Sequence, residues 1–260
     1  LLISSTLTQA TIYVLRPMIT YRALELDANA AQIGLIASVY ALFPVLLALQ
    51  FGKWVGRMGE AKFIIYGTLA MLVTSAALMF ADSITLLALA AGAAGLAHLA
   101  CMVGGQSMVA LRAPSESYDR YFGFYTFSAS VGHMLGPIVA AVVAGSNGNL
   151  PKSTSNAFLL GVVLTIIAIF PVIRWRKERP TVVAQRSSEG TFKTAIHLVK
   201  RPGILAAIYI SLAISSAADV LVVFLPLFGT ENNFSPYAVG AILAIRAGTT
   251  MLSRFFLGRL

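Results

Sequence analysis

The chain has 260 residues, of which 58% are hydrophobic and 11% charged, where soluble domains carry about 45–50% and about 25%. With a mean hydropathy of +0.81, a soluble fold of this size has too few charged groups to cover so much apolar surface, so the chain reads as a polytopic membrane protein. Disorder, coiled coils and disulfide scaffolds are excluded too, since the single cysteine, Cys101, has no partner within the chain.

The chain opens on Leu1 inside an apolar stretch, LLISSTLTQATIYVL, with no basic region and no small-residue cleavage site. That is not a signal peptide. It stops at FFLGRL without a polar tail. Both ends are expected to be internal to a longer protein. Eight apolar segments follow one another, at roughly 1–22, 29–51, 62–81, 84–111, 120–144, 156–173, 203–228 and 235–258. Their length and continuity suit spanning helices, which need about 20 apolar residues, and not barrel strands. The expected fold is therefore an all-α membrane bundle. Short polar links join the segments, and Pro151 and Pro236 suit breaks at the membrane surface.

The charges sort by side. The links after segments 2, 4 and 6 hold Lys53, Arg57, Lys62, Arg112, Arg120, Arg174, Arg176, Lys177, Arg179, Arg186, Lys193, Lys200 and Arg201. The other links hold only Arg22 and Lys152. The positive-inside rule makes the first face cytoplasmic, in a multi-pass protein of the inner (plasma) membrane. The net charge of +9 is then a mark of topology, and no nucleic-acid partner is expected. The link 174–202 divides six segments (1–173) from the last two (203–260). Its second part, EGTFKTAIHLVKRP, reads either as an amphipathic surface helix or as a solvated basic linker, and lipid headgroups are expected contacts in both cases.

Segments 7 and 8 repeat segments 1 and 2. Pro17 and Pro226 each precede a polar link, the second link being three residues shorter. Beyond it, Gly34 to Gly52 and Gly240 to Gly258 keep the same spacing, and FGKW faces LGRL. Weak internal symmetry of this kind is a mark of secondary transporters.

Two motifs then stand out. Between segments 2 and 3 runs Gly52-Lys-Trp-Val-Gly56-Arg57-Met-Gly59-Glu-Ala-Lys62. In segment 5 runs Gly123-x8-Gly132-x3-Gly136-Pro137-x2-Ala140-Ala141. Here Ser128, Gly132, Gly136 and Ala140 form a helical stripe of small residues that admits a close neighbour, and Pro137 removes a backbone hydrogen bond. The chain resembles the major facilitator superfamily over its whole length. The first motif is similar to that family's G-x-x-x-D-R-x-G-R-K/R, matched at Gly52, Arg57, Gly59 and Lys62, with Gly56 in place of the Asp. The resemblance implies a conformational latch there. The second is similar to the antiporter motif G-x8-G-x3-G-P-x2-G-G, with alanines for the last two glycines, and implies proton-coupled export and a moving helix interface. The family's R-x-x-Q-G pattern of the fourth helix is not matched: if Gly95 is its glycine, Ala91 and Ala94 replace Arg and Gln. Gly258-Arg259-Leu260 looks like a second opening of the first motif. The resemblance implies two six-helix bundles, of which this chain holds the first and two helices of the second.

Ionisable groups inside membrane segments are expensive and point to function. Arg16 either contacts an anionic group or extends toward the surface. Arg246, near the middle of segment 8, is expected to face a cavity. Asp219 either pairs with Arg246 or Arg16 or carries a coupling proton. His133 and His98 either relay protons or sit neutral between helices. Arg16, His133, Asp219 and Arg246 are thus the candidate substrate or coupling-ion residues. Tyr121 and Tyr125 read as packing. Gln106 and Ser107 line a polar cavity or bond across helices. There is no catalytic set, metal-ligand spacing or phosphate loop, so no enzyme activity and no cofactor are expected. The functional expectation is a secondary transporter of a small molecule, with protons as possible co-substrate. Proton-coupled efflux leads, with uptake of an organic anion as the alternative, followed by a non-transporting sensor or assembly component.

Overall fold

Polar capping residues divide the apolar runs into long helices. Asn29 and Gln32 form a reciprocal capping box at one helix start, and Ser83 and Ser153 cap two others. The computed structural model describes residues 1–174, 199 and 201–257. Its helices are α1 (Leu2–Glu25), α2 (Ala30–Met58), α3 (Glu60–Met79), α4 (Ile84–Arg112), α5 (Tyr118–Ala144), α6 (Thr154–Ile173), α7 (Ile204–Glu231) and α8 (Pro236–Leu257). A short 3-10 turn, Ser115–Ser117, leads into α5. Among the described residues the β-structure is one isolated bridge, Asn147 to Leu150. The expected all-α membrane fold is found. The proposed amphipathic helix of the basic link, and Gly258 to Leu260, lie for the most part outside the described residues.

Two sequence expectations shift. The second segment was expected to end at 51, but α2 continues to Met58. Polar side chains end an apolar run without ending the hydrogen-bonded helix. The whole link to α3 is then Gly59, whose φ of 86° lies in the region open to glycine. The second shift concerns span number. Among the described residues, six helices are apolar enough to cross a membrane by their own composition: α2 to α7, α5 counted with its 3-10 turn. α1 and α8 fall short, although they are 24 and 22 residues long. α1 carries Ser4, Ser5, Thr6, Thr8, Gln9, Thr11 and Arg16.

α1 tolerates those groups because protein surrounds it. It is buried almost continuously from Ser4 to Tyr21. α5 and α6 pack on it most extensively, with α4 and α7 beside them. Its threonine hydroxyls bond at short range or across helices: Thr8 and Thr11 donate to Ser4 and Leu7 carbonyls, and Thr6 donates to the Ser128 carbonyl of α5. α3 packs on α4 and α6, α2 on α4, and α8 on α5.

The small-residue stripe of α5 seats α1. A Cβ at Gly132 would meet the Thr6 carbonyl oxygen and the Ala10 nitrogen; one at Gly136 would meet the Ala10 carbonyl oxygen. The helix bearing Pro137 meets α8 on another side: a Cβ on Gly240 would lie 2.8 Å from the Pro137 carbonyl oxygen. Gly123 has open space around it.

The repeat appears in the turns. α1 and α7 end in the same way. Asp27 and Asn233 adopt left-handed φ values of 56° and 59°. The next amides, Ala28 and Phe234, bond back to Ala23 and Gly229 carbonyls at 2.9 and 2.7 Å. This is Schellman closure, with Asp and Asn taking glycine's usual place. Gly34 and Gly240 are each the fifth residue of the next helix. Pro17 and Pro226 are not equivalent, since they stand at different distances from this shared turn.

Gly132→Ala and Gly95→Ala (the latter directed at the Tyr40 carbonyl oxygen) are expected to destabilise by about 1–3 kcal/mol through overpacking. Gly123→Ala, in open space, is expected to be neutral or stabilising by up to about 1 kcal/mol. Melting temperatures of the purified variants in detergent check this. Equal effects at all three sites would contradict it.

Candidate functional site

Residues 9, 13, 16 and 20 share one face of α1 by helical spacing. They are Gln9, Tyr13, Arg16 and Thr20. The Arg16 side chain is 9% exposed, and its Nη1 donates to Asp219 Oδ1 of α7 at 2.6 Å. Its guanidinium also lies 4.9 Å from the centre of the Tyr40 ring of α2, within cation–π range. One turn on, Thr20 donates to the Val223 carbonyl of α7 at 2.9 Å. Of the two partners open to Asp219, the structure selects Arg16. The Asp219 side chain is 55% exposed, whereas Arg16 is buried.

A second set of contacts continues from Tyr40. The Tyr40 hydroxyl lies 2.9 Å from His98 Nδ1. His98 Nε2 and His133 Nε2 each lie 3.1 Å from Gln9 Oε1. The Gln9 amide nitrogen is turned to Met102 Sδ at 2.8 Å. His133 stacks on Tyr13, with centroids 4.0 Å apart. Contacts therefore run from Asp219 on α7 to His133 on α5 through α1, α2 and α4. The sequence reading missed Gln9, Tyr13 and Tyr40. One signal was present: Gln9 stands seven residues from Arg16, two helical turns along the same face.

Two pockets flank this layer. One is a narrow cleft with room for about 20 Å³, lined by Arg16, Thr20, Ile33, Tyr40, Ala91 and Val223, among others. It is mainly apolar with one charged wall. The other, with room for about 10 Å³, lies toward the Leu1 end of α1, and Ser4, Ser5, Thr8, Gln9 and Tyr125 help to line it.

Arg246 stands apart. It is half-buried in α8, forms no ion pair among the described residues, and its Nε is buried without a hydrogen-bond partner there.

The first motif is arranged differently from its pattern. Arg57 and Lys62 are exposed, Gly52 borders open space, and Gly59 makes the turn. The charge that is buried is Glu60, 2% exposed, at the position where the pattern has arginine. Arg112, at the end of α4, holds it, with Nε at 2.8 Å and Nη2 at 2.7 Å from Glu60 Oε1. Glu60 had no role in the sequence analysis, since only the motif's glycines and basic residues were matched.

The family model described as Major Facilitator Superfamily matches residues 1–260. Multidrug resistance protein 1 of Bacillus subtilis is 22% identical over 146 residues, 56% of this chain and 38% of its own length. Multidrug resistance protein MdtG of Salmonella arizonae is 24% identical over 152 residues, again 38% of its own length. The chain thus spans well under half the length of these relatives. Among solved structures, a bacterial homologue of the human lysosomal transporter Spinster aligns with a TM-score of 0.69 at 18% identity. That alignment covers 100% of this chain and 63% of that one.

Removing Arg112 takes the guanidinium away from a buried carboxylate, whereas the double change removes both charges. Arg112→Ala is therefore expected to cost more than the double variant Glu60→Gln/Arg112→Ala, with about 3–5 kcal/mol as the ceiling set by fully buried pairs. Detergent melting curves decide it; a double variant less stable than Arg112→Ala would contradict it.

Proposed function

The chain belongs to the major facilitator superfamily, and we propose that it forms part of a secondary transporter of the inner membrane that exports a small molecule in exchange for protons. In this reading the substrate passes by alternating access between the first six helices and a second unit that begins with α7 and α8. The links after α2, α4 and α6 lie in the cytoplasm.

The carrying observation is the Arg16–Asp219 pair, at 2.6 Å across the α1–α7 contact. The contact is one-sided. Arg16–Asp219, Thr20–Val223 and the bond from Asn149 to the Thr230 carbonyl all fall in the second half of α7. Every residue from 204 to 217 is exposed. With residue 204 on the cytoplasmic side, this is an arrangement closed outward and open inward. A proton on Asp219 removes the negative partner of Arg16 and weakens the closed contact. Proton binding and opening are then linked.

The other candidate residues fit around this movement. Pro137 and its carbonyl contact to Gly240 place α5 against α8, the second unit, while Gly132 and Gly136 fix α5 to α1. Gly123 begins the same helix without a close contact. Gly52, Arg57, Gly59 and Lys62 form the latch turn, with Glu60–Arg112 tying it to α4. His133 is a further proton-binding candidate. The names of the two multidrug relatives favour export of an apolar small molecule, and the mainly apolar cleft accords with that. Uptake of an organic anion is favoured by Arg246, whose Nε lacks a partner. Arg16 speaks against that reading, because Asp219 already neutralises it.

Ethidium efflux from cells carrying the full-length protein tests the reading. Dissipating the proton gradient is expected to abolish efflux. Asp219→Glu is expected to keep gradient-driven efflux and Asp219→Asn to lose it. Efflux that survives the loss of the gradient would overturn the coupling.

A further inference from the structure

The link between α5 and α6, residues 145–153, is a tight hairpin. The Asn147 N–H donates to the Leu150 carbonyl at 2.8 Å, and the Leu150 N–H returns a bond at 3.4 Å. Gly148 and Asn149 are the two central residues of this turn. Gly148, at φ 68°, supplies the left-handed first position that such a turn needs. Below it, the Lys152 and Ser153 N–H groups donate to the Gly145 and Ala144 carbonyls at 3.3 and 3.0 Å. The base is fastened to the helix ends beside it. Thr154 Oγ1 donates to Glu25 Oε2 at 2.8 Å, and Arg22 Nη1 donates to the same oxygen at 3.0 Å. Arg22 Nε donates to the Ala81 carbonyl at 2.9 Å. The hairpin is thus held by the first six helices.

Its tip reaches the second unit. Asn149 Nδ2 donates to the Thr230 carbonyl of α7 at 2.8 Å. The last four carbonyls of a helix have no partner within it, and Thr230 is the next-to-last residue of α7. The amide that would continue the ladder, Phe234 N–H, donates to Gly229 instead, at 2.7 Å. The Asn233 N–H reaches Thr230 only at 3.4 Å, beyond the usual hydrogen-bond length. Asn149 therefore supplies the short bond, as a C-cap brought in from another pair of helices. Along α7 it lies about 16 Å beyond Asp219, at 1.5 Å per residue.

We propose that Asn149 is a detachable cap on α7. It closes the outer end of the molecule and releases the Thr230 carbonyl to water when that side opens. Both groups stand at a link and a helix end, where water can replace each partner, so release leaves no buried polar group unpaired. Arg16–Asp219 holds the middle of the α1–α7 contact, and Asn149 holds its end. The bond itself does not depend on the transport reading; its outward side and its release on opening rest on that reading.

An impermeant maleimide added to intact cells tests the cap. The cells carry the full-length protein, otherwise free of cysteine, with Val223→Cys. Val223 is 8% exposed and lies between Asp219 and Thr230, so external reagent reaches it while the outer side is open, and the labelling rate follows that population. Asn149→Ala is expected to raise the rate about 2- to 10-fold. Asn149→Asp is expected to raise it further, because a carboxylate donates nothing and faces the negative end of the helix. Asn149→Lys, a donor of the favoured charge, is expected to label more slowly than Asn149→Ala. An unchanged rate in Asn149→Ala, or Asp and Lys variants with equal rates, overturns the cap. Asp219→Asn separates the two readings. If it speeds labelling while the Asn149 variants do not, the cap falls and the alternating movement stands. If the Asn149 variants follow the charge order while ethidium efflux ignores the proton gradient, the cap stands and coupled export falls.

Discussion

A guanidinium near the middle of a membrane-length helix needs a counter-charge or an aromatic face, because the bilayer offers it neither. Arg16 has both, Asp219 on α7 and the ring of Tyr40 on α2. Three helices are thereby tied to one residue. α1 is the most deeply enclosed of the described helices, and its threonine hydroxyls, its Gln9 amide and its cation end on protein groups. The apolar helices around it meet lipid on their outer faces, as their exposed leucines, isoleucines and phenylalanines show. Polarity is thus concentrated on the enclosed helix α1, and the outer surface is left to apolar residues that suit lipid.

Enclosing a polar helix this tightly requires small neighbours. Gly132 and Gly136 let α5 approach the backbone of α1, and Gly95 does the same for α4 against α2. Gly240 brings α8 to the Pro137 carbonyl. The motif glycines of α5 thus hold one helix in place while Pro137 contacts another. A single helix in this way joins the enclosed core to the region that begins with α7 and α8.

Much of the fold was legible in the sequence. Helix number followed from the apolar runs, and the shared turn of α1–α2 and α7–α8 from glycine spacing. Both signals are local, and local spacing survives folding. Misreadings arose where polarity was taken as a helix end, as at Lys53 to Arg57, which remain within α2. Glu60, buried against Arg112, was given no role, because its burial comes from the packing of α3 on α4. Asp219 was seen as a group in need of a partner, but the choice between Arg16 and Arg246 depends on the packing of α7 against α1. The Gln9 bridge lay further from reach. Its members come from α1, α4 and α5, and no spacing within one helix links them. The family match carries the chain's kinship over its full length, while the roles of these residues rest on geometry that its motifs do not encode.

The central claim is that the Arg16–Asp219 pair holds the second half of α7 against α1 and so closes one side of the molecule. Electron–electron distance measurements on the full-length protein test it most directly. One pair of spin labels at Ala30 and Glu231 reports the closed side, and another at Ile3 and Leu205 reports the open side. In Arg16→Gln and Asp219→Asn the first distance is expected to lengthen and the second to shorten relative to wild type. Distributions that both variants leave unchanged would contradict the claim.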